Sequence, residues 1–243
     1  MLIEQTLQTL ADLSLWGMKQ ALLLQQEQPK THDLGFEERL GLIVDGEKTY
    51  RHNKKIDRLL KMAKLRHQTA CLESLDYQTK RGFQKETITT LATNNWIREA
   101  FNLLITGPTG VGKSWIACAL GHQACRMGLS VLYCRFPKLL EELRLAHLDG
   151  SYHQILRRFS KCDLLILDDW GLERLTVEQR RDFLEIVEDR HQLKSTLITS
   201  QMPPSAWHEV IGDPTIADAI LDRLLSRSLK LDLKGESMRK KSP

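Results

Sequence analysis

The spacing of apolar and polar residues changes character near residue 100. Before it, Leu7, Leu10, Leu13, Leu15 and Trp16, then Leu22 to Leu24, recur at helical rather than alternating intervals, because residues three and four apart share one face of a helix. Pro29 and Gly35 punctuate these helices. A second helical run begins near Phe36 and is expected to be interrupted at Gly46. It resumes with Ile56, Leu59, Leu60 and Ala63 on one face and Arg51, Lys54, Lys55, Arg58 and Lys61 on much of the other.

After that point, short β-branched or leucine-rich runs are separated by longer amphipathic stretches. The segments "FNLLITG", "VLYCRF", "DLLILDD", "STLITSQ" and "LKLDL" are strand candidates, mostly apolar at successive positions, as in a sheet covered by helices on both sides. The layout is α/β. Gly128 is placed to end the helix that begins at Lys113, Pro137 suits the first turn of the next, and Thr176 with Gln179 has capping-box spacing. The chain therefore reads as a helical segment, residues 1–68, ahead of an α/β domain, residues 69–243. The closing "RKKSP" is expected to fray.

Composition adds boundaries to this picture. With 243 residues and 42% hydrophobic content, the chain can bury a substantial core and leave a smaller appendage. No run approaches the roughly 18 apolar residues of a membrane span, and the N-terminus carries acids where a secretion signal would carry a basic start, so a cytoplasmic protein is expected. The five cysteines (Cys71, Cys118, Cys125, Cys134, Cys162) are odd in number and contain no Cys-x-x-Cys pair, which argues for reduced thiols rather than zinc or disulfides. Net charge is only +4, yet residues 48–66 hold eight Lys or Arg against Asp57 alone, which makes that segment +7 and leaves the remainder near −3. Charge is concentrated on one helix.

The segment "GPTGVGKS", Gly107 to Ser114, fits G-x-x-x-x-G-K-[ST], follows a predicted strand and opens a predicted helix. Glycines in such a turn let successive N–H groups point inward, and the helix behind adds its positive end, so a triphosphate is cradled there. The nucleotide-holding set is Gly107, Thr109, Gly110, Val111, Gly112, Lys113, Ser114 and Trp115. Lys113 supplies a charge to the phosphates and Ser114 a hydroxyl ligand for Mg2+. ATP is the expected nucleotide, since no Asn-Lys-x-Asp guanine-reading element follows.

"LLILDDWG", residues 164–171, runs four apolar residues into Asp168 and Asp169. Two adjacent carboxylates next to a buried strand repel unless a cation offsets them. Asp168 is assigned to Mg2+ through water, and Asp169 to orienting and deprotonating the attacking water. In "TLITSQMPP" a polar residue ends another apolar strand, and Gln201 is the candidate beside the γ-phosphate, with Ser200 second. Arg223 and Arg227 in "DPTIADAILDRLLSR" are candidates for delivery to a neighbouring subunit's γ-phosphate.

Two basic sets argue for DNA independently of that pocket. Arg51, Lys54, Lys55, Arg58 and Lys61 on the first would neutralise phosphates whatever the base sequence, with affinity falling steeply in salt. Arg135, Lys138, Arg144, Arg157, Arg158 and Lys161 form the second. Little base-reading chemistry is evident, so DNA should be bound largely without sequence preference.

Taken together, "FEERLGLIVDGEKTYRHNKKIDRLLKMAKLR", "GPTGVGKSWIACALG", "LLILDDWGL", "TSQMP" with "WHEVIGDPTIADAILDRL", and "LKGESMRKK" make the chain similar to the IstB family of transposition helper ATPases. It resembles DnaC-type helicase loaders more distantly. The resemblance implies a three-layer α/β/α AAA+ P-loop fold, a parallel five-stranded sheet in order 5-1-4-3-2 and a small all-α segment before it. It also implies ATP held between subunits of an oligomer on double-stranded DNA, and engagement of a partner transposase. On this likeness Asp168 and Asp169 match Walker B, Gln201 matches sensor 1, Arg223 matches the arginine finger, and Arg239 is a further phosphate or DNA contact. Asp169 stands where AAA+ proteins often carry Glu. The alternatives are a helicase loader in replication and, from another class, a small-molecule kinase using the same loop.

Overall fold

The computed structural model describes residues 2–28, 31, 33–77 and 82–238. They divide into two compact units, residues 1–58 and 59–243.

The smaller unit contains helices α1 (Leu2–Asp12) and α2 (Trp16–Glu27) and most of α3 (Phe36–Ala63). No break occurs at Gly46, where the sequence pattern suggested one. α3 is a single helix of 28 residues, and Gly46 instead serves a close crossing with α2. A Cβ on Gly17 would lie 2.6 Å from the Gly46 carbonyl oxygen and from the Glu47 Cα, and one on Gly46 would lie 2.8 Å from the Ala21 Cβ. The helical cost of glycine, about 1 kcal/mol, is offset by backbone contact that no larger residue permits. Beside the crossing, the buried Glu47 accepts the Met18 N–H at 3.0 Å and the Arg51 guanidinium at 2.6 Å.

In the larger unit, α4 (Lys85–Ala92) and the short α5 (Asn95–Arg98) precede β1 (Asn102–Thr106). Then come α6 (Lys113–Arg126), β2 (Val131–Arg135), α7 (Phe136–Asp149), α8 (Tyr152–Lys161) and β3 (Leu164–Trp170). The chain continues with α9 (Val177–Arg190), β4 (Ser195–Ser200), α10 (Trp207–Ile211), α11 (Pro214–Leu225) and β5 (Ser228–Asp232). All five strands pair in parallel, in the order β2-β3-β4-β1-β5. Read from the other edge, this is the 5-1-4-3-2 order of the AAA+ fold.

Alternate residues of each central strand face opposite helical layers. Leu103, Ile105, Ile166 and Leu197 pack with α4, α6 and the buried Leu59, Ala63 and Leu65. Leu104, Leu165, Leu167 and Ile198 pack with α7 to α11. That explains why the strands read as continuous apolar runs. Sequence signals hold at two ends: Gly128 follows α6 with φ +81°, and Thr176 and Gln179 form a reciprocal capping box. Asp213, which the pattern did not single out, caps α11 by accepting the Ile216 N–H at 3.0 Å. No helix among the described residues is long and apolar enough to cross a membrane.

Candidate active site

Between β1 and α6 the chain turns through residues 107–112, with positive φ at Gly107, Gly110 and Gly112. Space as well as φ demands glycine at the first two. A Cβ on Gly107 would lie 2.2 Å from the Leu233 carbonyl oxygen, and one on Gly110 would lie 2.1 Å from the Ser237 Oγ. The segment after β5 braces the loop: the Leu233 N–H donates to the Thr106 carbonyl at 2.8 Å and the Met238 N–H to the Gly110 carbonyl at 3.0 Å. Val111 is buried beneath the turn, and Trp115 packs half-buried against the core.

Lys113 is only 7% exposed, so its charge must be satisfied by neighbours. Its Nζ donates to the Gly107 and Pro108 carbonyls at 2.7 and 2.8 Å. One residue on, the Ser114 Oγ donates to the Asp168 Oδ1 at 2.7 Å. This contact joins the start of α6 to the end of β3.

Asp168 is fully buried. Thr199 donates to Oδ1 at 2.6 Å, Tyr133 to Oδ2 at 2.6 Å, and the Arg66 guanidinium lies 3.8 Å from Oδ2. Burial first, and then the hydrogen bond and charge of Asp168, push the Tyr133 hydroxyl far above its usual pKa and keep it a donor.

β3 is irregular here. Leu167 pairs with Ile198 and Trp170 with Ser200, so Asp168 and Asp169 together oppose Thr199 alone, in the manner of a β-bulge. Asp169 takes φ +63°, a left-handed conformation that Asp tolerates better than most residues. Its N–H donates to the Thr199 Oγ1 at 3.1 Å, and its carboxylate receives Arg135 through Nε at 3.0 Å and a terminal nitrogen at 2.9 Å. Trp170 anchors the following turn, buried against Phe136, Phe183 and Trp207 at ring separations of 4.5, 4.7 and 5.6 Å.

The Ser114 and Asp168 oxygens suit Mg2+. Both are hard oxygen donors held 2.7 Å apart, the donor type Mg2+ takes from hydroxyls and carboxylates. Asp168 already accepts three hydroxyl donors, which favours contact with the cation through water.

Gln201 lies at the end of β4, where its Oε1 accepts the Thr109 hydroxyl at 2.7 Å, so the candidate from β4 does meet the phosphate loop. Ser200 is occupied structurally, donating to the Trp170 carbonyl at 3.0 Å. Arg223 on α11 pairs with Glu188 on α9, one N–O separation being 2.7 Å. Arg227 lies over Phe101 at 4.6 Å and donates to the Glu99 carbonyl at 3.1 Å.

Arg51, Lys54, Lys55, Arg58 and Lys61 are exposed on α3. In the second basic set, Arg135 is committed to Asp169, Arg144 pairs with Glu141 at 2.7 Å, and Arg158 pairs with Glu142 at 2.8 Å. Arg239 lies outside the described residues. Thr199, Tyr133 and Arg66 were missed by motif reading, because only strand order and register bring them to Asp168.

Comparison with known proteins identifies relatives in sequence and neighbours in fold. A protein of insertion sequence IS1162 from Pseudomonas fluorescens, described as ATP-binding, is 52% identical over 205 residues, covering 84% of this chain and 89% of the relative. Another insertion-sequence protein described as ATP-binding, y4pL of Sinorhizobium fredii, is 48% identical over 99% of this chain and 98% of its own. Among solved structures, the DnaC helicase loader superposes with TM-score 0.59 at 22% identity, covering 70% of this chain and 99% of the loader. DnaI gives TM-score 0.60 at 19% identity, with 73% and 94% covered. The structural matches show a DnaC-like fold. The IstB-like ATP binding protein model matches residues 8–243 and two relatives are near half identical over most of the chain, so the chain belongs to the IstB-like ATP-binding protein family.

Proposed function

We propose that this protein is an ATP-hydrolysing helper of DNA transposition that assembles on double-stranded DNA and engages a partner transposase. The observation that carries the hydrolytic part is the 2.7 Å contact between Ser114 and Asp168 with Asp169 immediately beyond it. A phosphate loop, a metal-holding pair and an adjacent second carboxylate are what in-line attack of water on a γ-phosphate requires. The names of the relatives, as proteins of insertion sequences, support the transposition part.

Each residue then has a task. The loop N–H groups and Lys113 hold the β and γ phosphates of ATP. Ser114 and Asp168 hold Mg2+, which when bound neutralises charge on the phosphate oxygens. Asp169 orients the attacking water and takes its proton, while Gln201, tied to Thr109, lines the γ-phosphate side. Arg223 stabilises transition-state charge in the site of an adjoining subunit. Arg51, Lys54, Lys55, Arg58 and Lys61 contact DNA phosphates, so assembly responds to salt.

Gel filtration and electron microscopy with ATP and long duplex DNA test the assembly directly. Nucleotide-dependent oligomers on DNA are expected, and a monomer under those conditions would overturn the reading. The likeness to DnaC favours one rival, a loader of a replicative helicase. A pull-down with purified partners separates them: retention of the transposase supports the proposal, and retention of the helicase alone replaces it.

A further inference from the structure

The phosphate loop is held from both neighbours of β1, which lies between β4 and β5 in the sheet. From the β4 side, the Gln201 side chain accepts the Thr109 hydroxyl at 2.7 Å. From the other side comes β5, the edge strand, paired along β1 from Asn102 to Thr106. Beyond Asp232, its last residue, the chain does not turn away. It runs on beside the loop as a strap over residues 233–238.

Close backbone packing seats the strap. Leu233 is fully buried, and its carbonyl oxygen occupies the space that a side chain at Gly107 would need. Thr106 donates its hydroxyl to the Asp232 carboxylate at 3.0 Å. A Cβ at Gly82 would lie 2.7 Å from the Asp232 carbonyl oxygen and 3.3 Å from the Lys234 side chain. At the far end, the Met238 N–H donates to the Gly110 carbonyl at 3.0 Å.

Ser237 is the side chain that this seating brings to the loop. Its Oγ lies 2.1 Å and its Cβ 2.8 Å from where a Gly110 Cβ would stand, so the hydroxyl rests directly on the loop backbone. The loop's own polar side chains are already engaged: Thr109 with Gln201, Ser114 with Asp168, and Lys113 with the Gly107 and Pro108 carbonyls. Ser237 is half-buried, and among the described residues its hydroxyl has no hydrogen-bond partner. A hydroxyl placed beside N–H groups that converge on an anion is a further donor to that anion.

We infer that Ser237 is a phosphate-binding residue of the ATP site, its hydroxyl donating to the phosphate chain held by the loop from the side opposite Gln201. This rests on the reading of residues 107–114 as the triphosphate cradle, and on nothing proposed for DNA or the transposase. The strap is then a wall of the nucleotide site supplied by the same chain, anchored at Leu233 and Met238 so that Ser237 is held in place between them.

Displacement of a fluorescent ATP analogue, by ATP and separately by inorganic tripolyphosphate, measures the contact in Ser237→Ala. A hydrogen bond to a charged phosphate oxygen changes affinity by about tenfold or more, and both ligands should weaken by that factor. The unliganded variant should melt at the wild-type temperature, since the hydroxyl gives up no protein partner, while the stabilisation conferred by ATP shrinks. Met238→Pro removes the N–H that ties the strap to Gly110 and should weaken both ligands as well. Adding Ser237→Ala to it should then cost less than Ser237→Ala costs alone. Weaker ATP binding with unchanged tripolyphosphate binding would move the hydroxyl to the ribose or base and overturn the phosphate claim. Unchanged affinity for both ligands, with a lower melting temperature of the unliganded protein, would reduce Ser237 to a brace of the loop. Fully additive losses would overturn its placement by the strap. Wild-type protein that binds neither ATP nor tripolyphosphate would instead defeat the reading of the loop itself.

Discussion

Thr199 faces both acids of β3, and its hydroxyl donates to the Asp168 carboxylate at 2.6 Å while accepting the Asp169 N–H at 3.1 Å. One side chain thereby fixes the orientation of one carboxylate and the backbone of the other. Thr199→Val keeps the shape and removes both contacts. Leaving a buried N–H and a buried carboxylate short of a partner costs about 1–3 kcal/mol. We expect ATP turnover to fall by about 10- to 100-fold, the range for partners that orient metal-binding groups. Nucleotide affinity in the absence of Mg2+ should barely change. Wild-type turnover in this variant would show that the bulge holds itself without Thr199.

Asp169→Asn separates binding from chemistry. The amide cannot take a proton from water, so turnover should drop by about 10²- to 10⁴-fold while ATP still binds and assembled complexes persist on DNA. Asn also breaks the charge pair with Arg135. Single-turnover measurements check this, and an Asp169→Asn protein as fast as wild type would remove Asp169 from the role of base.

Which parts of this site were legible in the sequence follows from how local each signal is. Gly107 to Ser114 could be read because the turn, the lysine and the serine are consecutive, and the strands because burial on both faces makes an unbroken apolar run. Asp168 and Asp169 stood out as charges at the end of such a run. Thr199, Tyr133 and Arg66 carry no comparable local mark, since each reaches Asp168 only through the pairing of separate segments. Arg135 reads equally well as a surface cation. Gly46 was misleading for the same reason: propensity predicts a break, while the close approach of Gly17 explains an unbroken helix.

The crossing of α2 and α3 gives a prediction confined to the helical unit. In Gly17→Ala the new methyl group would lie 2.6 Å from two backbone atoms of α3, the Gly46 carbonyl oxygen and the Glu47 Cα, and neither belongs to a flexible side chain. The helices must separate or shift, at a cost of about 1–3 kcal/mol. Amide hydrogen exchange should show lost protection in α2 and in the part of α3 within residues 36–58, with the sheet unaffected. Unchanged protection there would show that the crossing is looser than the geometry implies.

A pH dependence arises at the opposite ends of the strands. Asp163 ties β2, β3 and β4 by accepting the Ser130 N–H at 2.9 Å, the Ser130 hydroxyl at 2.7 Å and Lys194 at 2.6 Å. Burial raises its pKa, but Lys194 and the two Ser130 donors more than reverse this and hold the carboxyl below its ordinary value of 3.8. A depressed folded-state pKa means the stabilisation is present above 3.8 and is lost as pH falls through the lower folded value. Denaturant melts between pH 7 and pH 3 should show a shallower acid loss for Asp163→Asn than for wild type. Parallel curves would assign the acid sensitivity to other groups.

Arg223 and Arg227 can be told apart by mixing subunits. The end of α11 is fixed to the sheet by Asn102, whose amide donates to the Arg223 and Leu224 carbonyls at 3.2 and 3.1 Å and whose Oδ1 accepts the Thr196 N–H at 2.9 Å. The base of Arg223 is thus rigid, and its guanidinium is held by Glu188, a surface pair that is readily exchanged for a stronger anion. Arg227 is committed to its own chain through Phe101 and Glu99. Arg223→Ala should lower turnover by about a thousandfold, and Lys113→Ala should abolish ATP binding. Neither protein hydrolyses well alone, but in a mixed oligomer a Lys113→Ala subunit still offers Arg223 to the intact loop of an Arg223→Ala neighbour, so turnover should recover in part. Recovery with Arg227→Ala in place of Arg223→Ala, and none with Arg223→Ala, would transfer the role to Arg227.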